Sequence, residues 1–234
     1  MRTQKISFPD QPALCVFPQD HSELAQAIKE LHLNGSYPVI VLIGGEIEEE
    51  YTAITKHAIH TISKVAEEIG ALVICGGTDM GGMAEIGQAR WRDHYKFPLI
   101  GVAPEDLVSW PGGPSGKKIL WWGKKRWPLA DHYSRFILVP GSQFGDESLW
   151  IVEAASMLSS AHRSVTILIN GGEVSRKDIE LSLANGRPVI VLSGTGRLAD
   201  ELANRSDQQK ILTIVPVIIE QRIADEIKTA ITGI

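Results

Sequence analysis

The stretch Ala71-Leu72-Val73-Ile74-Cys75-Gly76-Gly77-Thr78-Asp79-Met80-Gly81-Gly82-Met83 joins an apolar run to a glycine turn that opens a helix. The helix expected over residues 82–91 carries the small residues Ala84, Gly87 and Ala89. Small residues let a helix lie close to a sheet, so its free first-turn amides sit near the strand ends. The same grammar occurs four more times. Gly44-Gly45 follows residues 39–43, Gly141-Ser142 follows 136–140, Gly171-Gly172 follows 165–169, and Gly194-Thr195-Gly196 follows 189–192. In a parallel α/β sheet, turns leaving the carboxyl ends of strands line one edge, and ligands bind there. Glycine lets backbone amides approach a phosphate with no Cβ in the way. Five such turns point to a nucleotide-sized ligand spread across several loops.

Outward from this stretch, strand and helix alternate along almost the whole chain. That pattern predicts a Rossmann-like, doubly wound, mostly parallel sheet with helices on both faces. Strands are expected at 13–17, 38–43, 71–75, 98–103, 135–139, 165–169, 188–192 and near 212–216. Asp20 and Glu23 have capping-box spacing and open the first helix, which Asn34-Gly35 stops. The next helix carries Ile54, Ala58, Ile62, Val65 and Ile69 at helical spacing and ends at Gly70. Further helices are expected at 147–160, 175–183 and 197–204, then one bearing Ile223, Ile227 and Ile231. The alternation breaks from about 104 to 132, where Trp110, Trp121, Trp122 and Trp127 interleave with Lys117, Lys118, Lys124, Lys125 and Arg126. Such an excursion is longer than an ordinary connection. Four tryptophans are many to leave in water, so the segment reads as a lid or as the interface of a homo-oligomer.

The 234 residues, 44% of them hydrophobic, suit a single large domain spanning 1–234. A formal net charge of −5 argues against general nucleic-acid or anionic-membrane binding. No run approaches the ~18 apolar residues of a membrane span, and the first residues lead into no signal core. Cys15 and Cys75 lie in strand-like runs and read as buried free thiols, with neither a disulfide framework nor metal-ligand spacing. The expectation is a cytoplasmic protein that needs no metal or cofactor and takes a nucleotide-derived small molecule.

Candidate ligand residues follow from the turns: Gly44, Gly45 and Glu46; Gly76, Gly77, Thr78, Gly81, Gly82 and Met83; Gly141, Ser142, Phe144 and Gly145; Gly171 and Gly172; Gly194, Thr195, Gly196 and Arg197. A cation is disfavoured at a helix start. Arg197 therefore needs an anionic partner, either a ligand phosphate or a carboxylate such as Asp200 or one on a neighbouring loop. Glu46–Glu50 and Asp146-Glu147 would repel phosphate, so their loops should meet ribose hydroxyls or a base, with Phe144 available to stack. The plain alternatives are ligand-free tight turns and acids that merely stabilise helix starts.

The motifs Ile74–Met83, Ile100-Gly101-Val102-Ala103-Pro104, Phe136–Gly141, Gly145-Asp146-Glu147-Ser148, Ile169–Gly172 and Gly194–Asp200 together resemble the SLOG superfamily. The chain is most similar to its LSDAT branch, which occurs in melastatin-type TRP channels and as stand-alone bacterial proteins. It is related more distantly to LOG phosphoribohydrolases and DprA. The resemblance implies a domain that binds ADP-ribose or related NAD products, commonly as a sensor, with Arg197 approaching phosphate. Two departures matter. The hydrolase motif Pro-Gly-Gly-x-Gly-Thr-x-x-Glu is only echoed by residues 140–147, and the helix after it reads Leu149-Trp150-Ile151-Val152 where channel domains carry a basic residue. A sensor is thus the first expectation. A phosphoribohydrolase using Glu147 is the second, and a protein-interaction scaffold the third.

Overall fold

Apolar runs that do not alternate become strands buried on both faces. The computed structural model describes residues 1–114, 125–205 and 212–233. In chain order the elements are β1 (Arg2–Ser7), β2 (Pro12–Phe17), α1 (Leu24–Glu30), β3 (Val39–Ile43), α2 (Glu49–Glu68) and β4 (Leu72–Cys75). Next come α3 (Gly81–Arg92), β5 (Leu99–Pro104), the two-residue strands β6 (Val108–Ser109) and β7 (Trp127–Pro128), β8 (Arg135–Val139) and α4 (Ser148–Leu158). The remainder is β9 (Ser164–Ile169), α5 (Glu173–Ala184), β10 (Val189–Ser193), α6 (Arg197–Ala203), β11 (Leu212–Pro216) and α7 (Glu220–Thr232).

Nine strands form one sheet in the order β1-β2-β8-β5-β4-β3-β9-β10-β11. Only β1 with β2 is antiparallel; the other pairings in this sheet are parallel. Strand side chains alternate between two cores. Ile40 and Leu42 face a layer of α2, α3 and α7 through Ile59, Ile62, Ile86, Ile223 and Ile227. Val39, Val41 and Ile43 face α1, α4, α5 and α6 through Leu24, Ile151, Ile179 and Leu198.

From β3 the chain steps outward through β4, β5 and β8, then returns to lay β9 on the other side of β3. The strand order therefore reverses between β3 and β9. Gly44 leaves the end of β3 there, and a Cβ on it would lie 2.9 Å from the Ile169 carbonyl oxygen. This reversal creates the crevice of the fold.

Two expectations need correction. The sheet begins with β1, which the sequence pattern did not reveal. Among its residues only Ile6 is buried, as befits an edge strand exposed to water. The Asp20 carboxylate takes the Ser22 amide, while Glu23 takes the amide of Gln19 rather than that of Asp20, so a short 3-10 turn precedes α1. In the tryptophan-rich excursion, Trp110 is buried and tilted against Phe17 at 5.9 Å. Trp127 meets Phe144 edge-on at 5.3 Å. Trp121, Trp122, Lys117, Lys118 and Lys124 lie outside the described residues. Cys15 and Cys75 are free and buried. No helix among the described residues is long and apolar enough to cross a membrane.

Candidate functional site

The turn after β4 is held by its glycines. Gly77 sits at φ +74°, and a Cβ there would come within 2.6 Å of the Gly101 Cα and 3.1 Å of the Phe136 ring. Gly81 sits at φ +48°, where a Cβ would overlap the Gly45 carbonyl oxygen. These two glycines clamp the turn to β5 and to the loop after β3. Gly77 thus has a packing duty independent of any ligand. No side chain caps the start of α3, so its first-turn amides lack a side-chain partner.

Beside this turn lies a cleft of about 200 Å³. Its floor is Gly44, Gly45 and Gly76, and Thr78, Met80 and Met83 form one wall. Phe144, Glu147 and Ile151 from the α4 end, with Val174, Ser175 and Asp178 from α5, form the other. Seven residues named from the turns, Gly44, Gly45, Gly76, Thr78, Met83, Phe144 and Glu147, therefore converge. Gly77, Gly81 and Gly82 lie behind the lining, Gly82 against Ile59.

Glu147 is 6% exposed, and its Oε2 accepts the Gly145 amide at 2.7 Å. Burial pushes its carboxyl up to about 7, against two backbone hydrogen bonds that lower it and with the neighbouring acids adding to the rise. Burial likewise raises Asp178 to about 6, opposed by Ser148 and Lys177. Two carboxyl groups pushed up toward neutrality by burial in one cleft make it the candidate functional site. Asp178 was not legible as a site residue. After Lys177 a lone aspartate reads as a solvated helix face; the available signal was its i, i+3 relation to Ser175.

Other turns are closed from within. The Ser142 and Gln143 amides donate to Asp146 Oδ2 at 2.7 and 3.2 Å, and Lys177 Nζ donates to the Gly145 carbonyl at 2.6 Å. After β10, Asp200 takes the Gly194 and Gly196 amides at 2.5 and 3.0 Å. Thr195 Oγ1 accepts the Asn170 amide at 2.8 Å and donates to the Leu192 carbonyl at 2.7 Å. Arg197, at φ +44°, sets Nε 3.5 Å from Glu48 Oε1. Its Nη1 donates to the Glu46 carbonyl at 3.4 Å, and its Nη2 lies over Gly172. Glu48 also accepts from Asn170 Nδ2 at 2.6 Å. Glu46, Gly141, Ser142, Gly145, Gly171, Gly172 and Gly194–Arg197 are thus at the same sheet edge but outside the lining of the cleft. Here an internal carboxylate partners Arg197, the second of the two partners the sequence allowed.

Asp10, Asp131 and His132 bring ligand-type atoms within 4.8 Å of one another. They do not line this cleft.

A doubly wound sheet with a glycine-floored cleft at its strand reversal defines a Rossmann-like ligand-binding class. Within that class, the chain belongs to the family described as "SLOG in TRPM, prokaryote" (LSDAT_prok), whose profile matches residues 37–230. Solved structures share the fold. TM1055 is 20% identical with a TM-score of 0.54, covering 81% of this chain and 99% of that one. The molybdenum cofactor binding protein of Rippkaea orientalis is 18% identical with a TM-score of 0.56, covering 82% and 96%. The molybdenum cofactor carrier protein of Chlamydomonas reinhardtii is 15% identical with a TM-score of 0.54, covering 82% and 98%.

Proposed function

We propose that this protein binds a nucleotide-derived small molecule, ADP-ribose or a related NAD product, in the cleft at the β3/β9 reversal and serves as a sensor for it. The observation that carries the reading is the convergence of two glycine turns, an uncapped helix start, the buried carboxyl of Glu147 and the half-buried carboxyl of Asp178 on one cleft. A base packs between Phe144 and the methionines. Glu147 and Asp178 accept from ribose hydroxyls or ring N–H groups, and a phosphate meets the first turn of α3. The cleft is smaller than the ~300–1,000 Å³ of most ligand sites, so it encloses a nucleoside-sized part and the rest projects over the sheet edge. Two similarly folded proteins are named for binding or carrying the molybdenum cofactor, which supports a small-molecule role and adds that cofactor to the ligands worth screening.

Calorimetry and thermal shift against AMP, ADP-ribose, cyclic ADP-ribose and NAD test the reading. A ligand at ~100 times its Kd should stabilise the fold by ~2.7 kcal/mol, and Phe144→Ala and Glu147→Gln should weaken it. Absence of saturable binding by all four, in folded protein, would overturn it.

A second reading, hydrolysis of a nucleotide N-glycosidic bond, is favoured by one observation. Glu147, raised to about 7, has the proton affinity of a general acid or base.

A further inference from the structure

At the opposite edge of the sheet, where β9 and β10 begin, lies a second cavity of about 490 Å³. Arg187, Arg163 and His162 line it together with Ser156, Ser164 and Asn185, and no aspartate or glutamate does so among the described residues. In a chain of net charge −5, that is a local excess of positive charge.

Arg187 is the centre of the argument. It is 3% exposed. Its Nε donates to Ser164 Oγ at 2.9 Å, and its Nη2 donates to the Val152 carbonyl at 3.1 Å and to Ser156 Oγ at 3.0 Å. Nη1 is buried and has no hydrogen-bond partner among the described residues. Burial alone lowers this guanidinium to about 10, with no neighbouring charge contributing. The carbonyl end of α4 offers about half a negative charge, but it gives Nη1 no acceptor. A buried ionised donor without an acceptor is costly, and with Nε and Nη2 already committed, Nη1 is the nitrogen of this side chain left to meet an oxyanion.

We infer that this cavity is an anion site, distinct from the cleft at the carboxyl edge, which takes a phosphate group through Arg187 and Arg163. The volume exceeds that of a bare ion, so there is room for the body of a small phosphate monoester. The serine hydroxyls and Asn185 supply neutral donors around it.

Titration calorimetry with inorganic phosphate and with glycerol phosphate, each against chloride at matched ionic strength, tests the inference. We expect saturable binding by at least one of them. Arg163→Ala and Arg187→Lys should each weaken it about tenfold or more, the lysine keeping the charge but losing the Nη1 donor. Amide resonances of residues 156–164 and 185–187 should shift while those of 76–83 stay in place. Tighter binding of the monoester identifies a phosphorylated metabolite as the ligand; equal binding identifies free phosphate. No saturation beyond chloride would overturn the inference, as would shifts confined to 76–83 or binding unaltered in both variants. Should Arg187→Lys fail to fold, Arg163→Ala on the exposed rim decides alone.

Discussion

At Glu147 burial and ionisation conflict inside the cleft. Its carboxyl titrates at about 7 in the folded chain against 4.5 for an unperturbed glutamate, chiefly because burial penalises the charged form. Between those values the folded state holds more protons than the unfolded state. Stability is therefore fully present at low pH, falls as pH rises through this window, and is level above it. At about 1.4 kcal/mol per pH unit, Glu147 alone accounts for roughly 3 kcal/mol. Asp178 adds a loss of the same sign between 3.8 and about 6. Glu147→Gln should remove most of its share, leaving the variant more stable than the parent at about pH 8, with the slope below about pH 6 that Asp178 contributes and little above it. Urea unfolding at both ends of the window measures this; a variant that keeps the parent's slope refutes the assignment. Any ligand that donates hydrogen bonds to the ionised pair should bind more tightly as pH rises through 7, since the acceptors are then free of their protons.

At the scale of elements, the loops divide into those closed by their own carboxylates and those left open. Asp146 occupies the Ser142 and Gln143 amides, the place an anion would take in a glycine loop. Asp146→Ala should cost about 1 kcal/mol, the worth of such hydrogen bonds, and sulfate should restore part of the loss in the variant but not in the parent. Equal responses of the two melting temperatures to sulfate would contradict this. At the open turn, Gly81→Ala forces a Cβ onto the Gly45 carbonyl and a side chain into a left-handed conformation. The expected cost is about 1–3 kcal/mol, with ligand affinity lost at the same time; thermal unfolding unchanged from the parent would show that the two loops are not clamped. These elements also show what the sequence could carry. Strands β3, β4, β9 and β10 were legible because runs dominated by Val, Ile and Leu, with Thr166 in β9 the polar residue inside one of them, leave no solvent face. Strand β1 was not, since Arg2, Gln4 and Lys5 give no apolar run to read. The glycine turns were legible as turns, but their partners were not: which amides face a ligand and which face Asp146 or Asp200 depends on contacts made only after folding.

Across the whole molecule, the sheet order decides which loops can act together. The Gly76–Met83 turn ends β4 and the Ser193–Arg197 turn ends β10, with β3 and β9 between them. They share an edge without sharing the cleft. Two of the four tryptophans that suggested a homo-oligomer already have partners within the chain, Trp110 at Phe17 and Trp127 at Phe144, so that composition argument rests on fewer residues than before. The same geometry bears on catalysis. A phosphoribohydrolase must hold its carboxylate at the anomeric carbon while neighbouring amides grip the phosphate. Here Glu147 is in the cleft, but one of its oxygens is bound to the Gly145 amide, and the amides before it are taken by Asp146. A misplacement of about an ångström can cost ~10²-fold in rate. The expected outcome is that AMP incubated with the protein yields no free adenine at enzymatic rates, although it binds. Chromatography of the products checks this. Adenine released by the parent and lost in Glu147→Gln would reverse the order of the two readings. The near-neutral carboxyl would then be the proton donor to the departing base rather than an acceptor for the ribose.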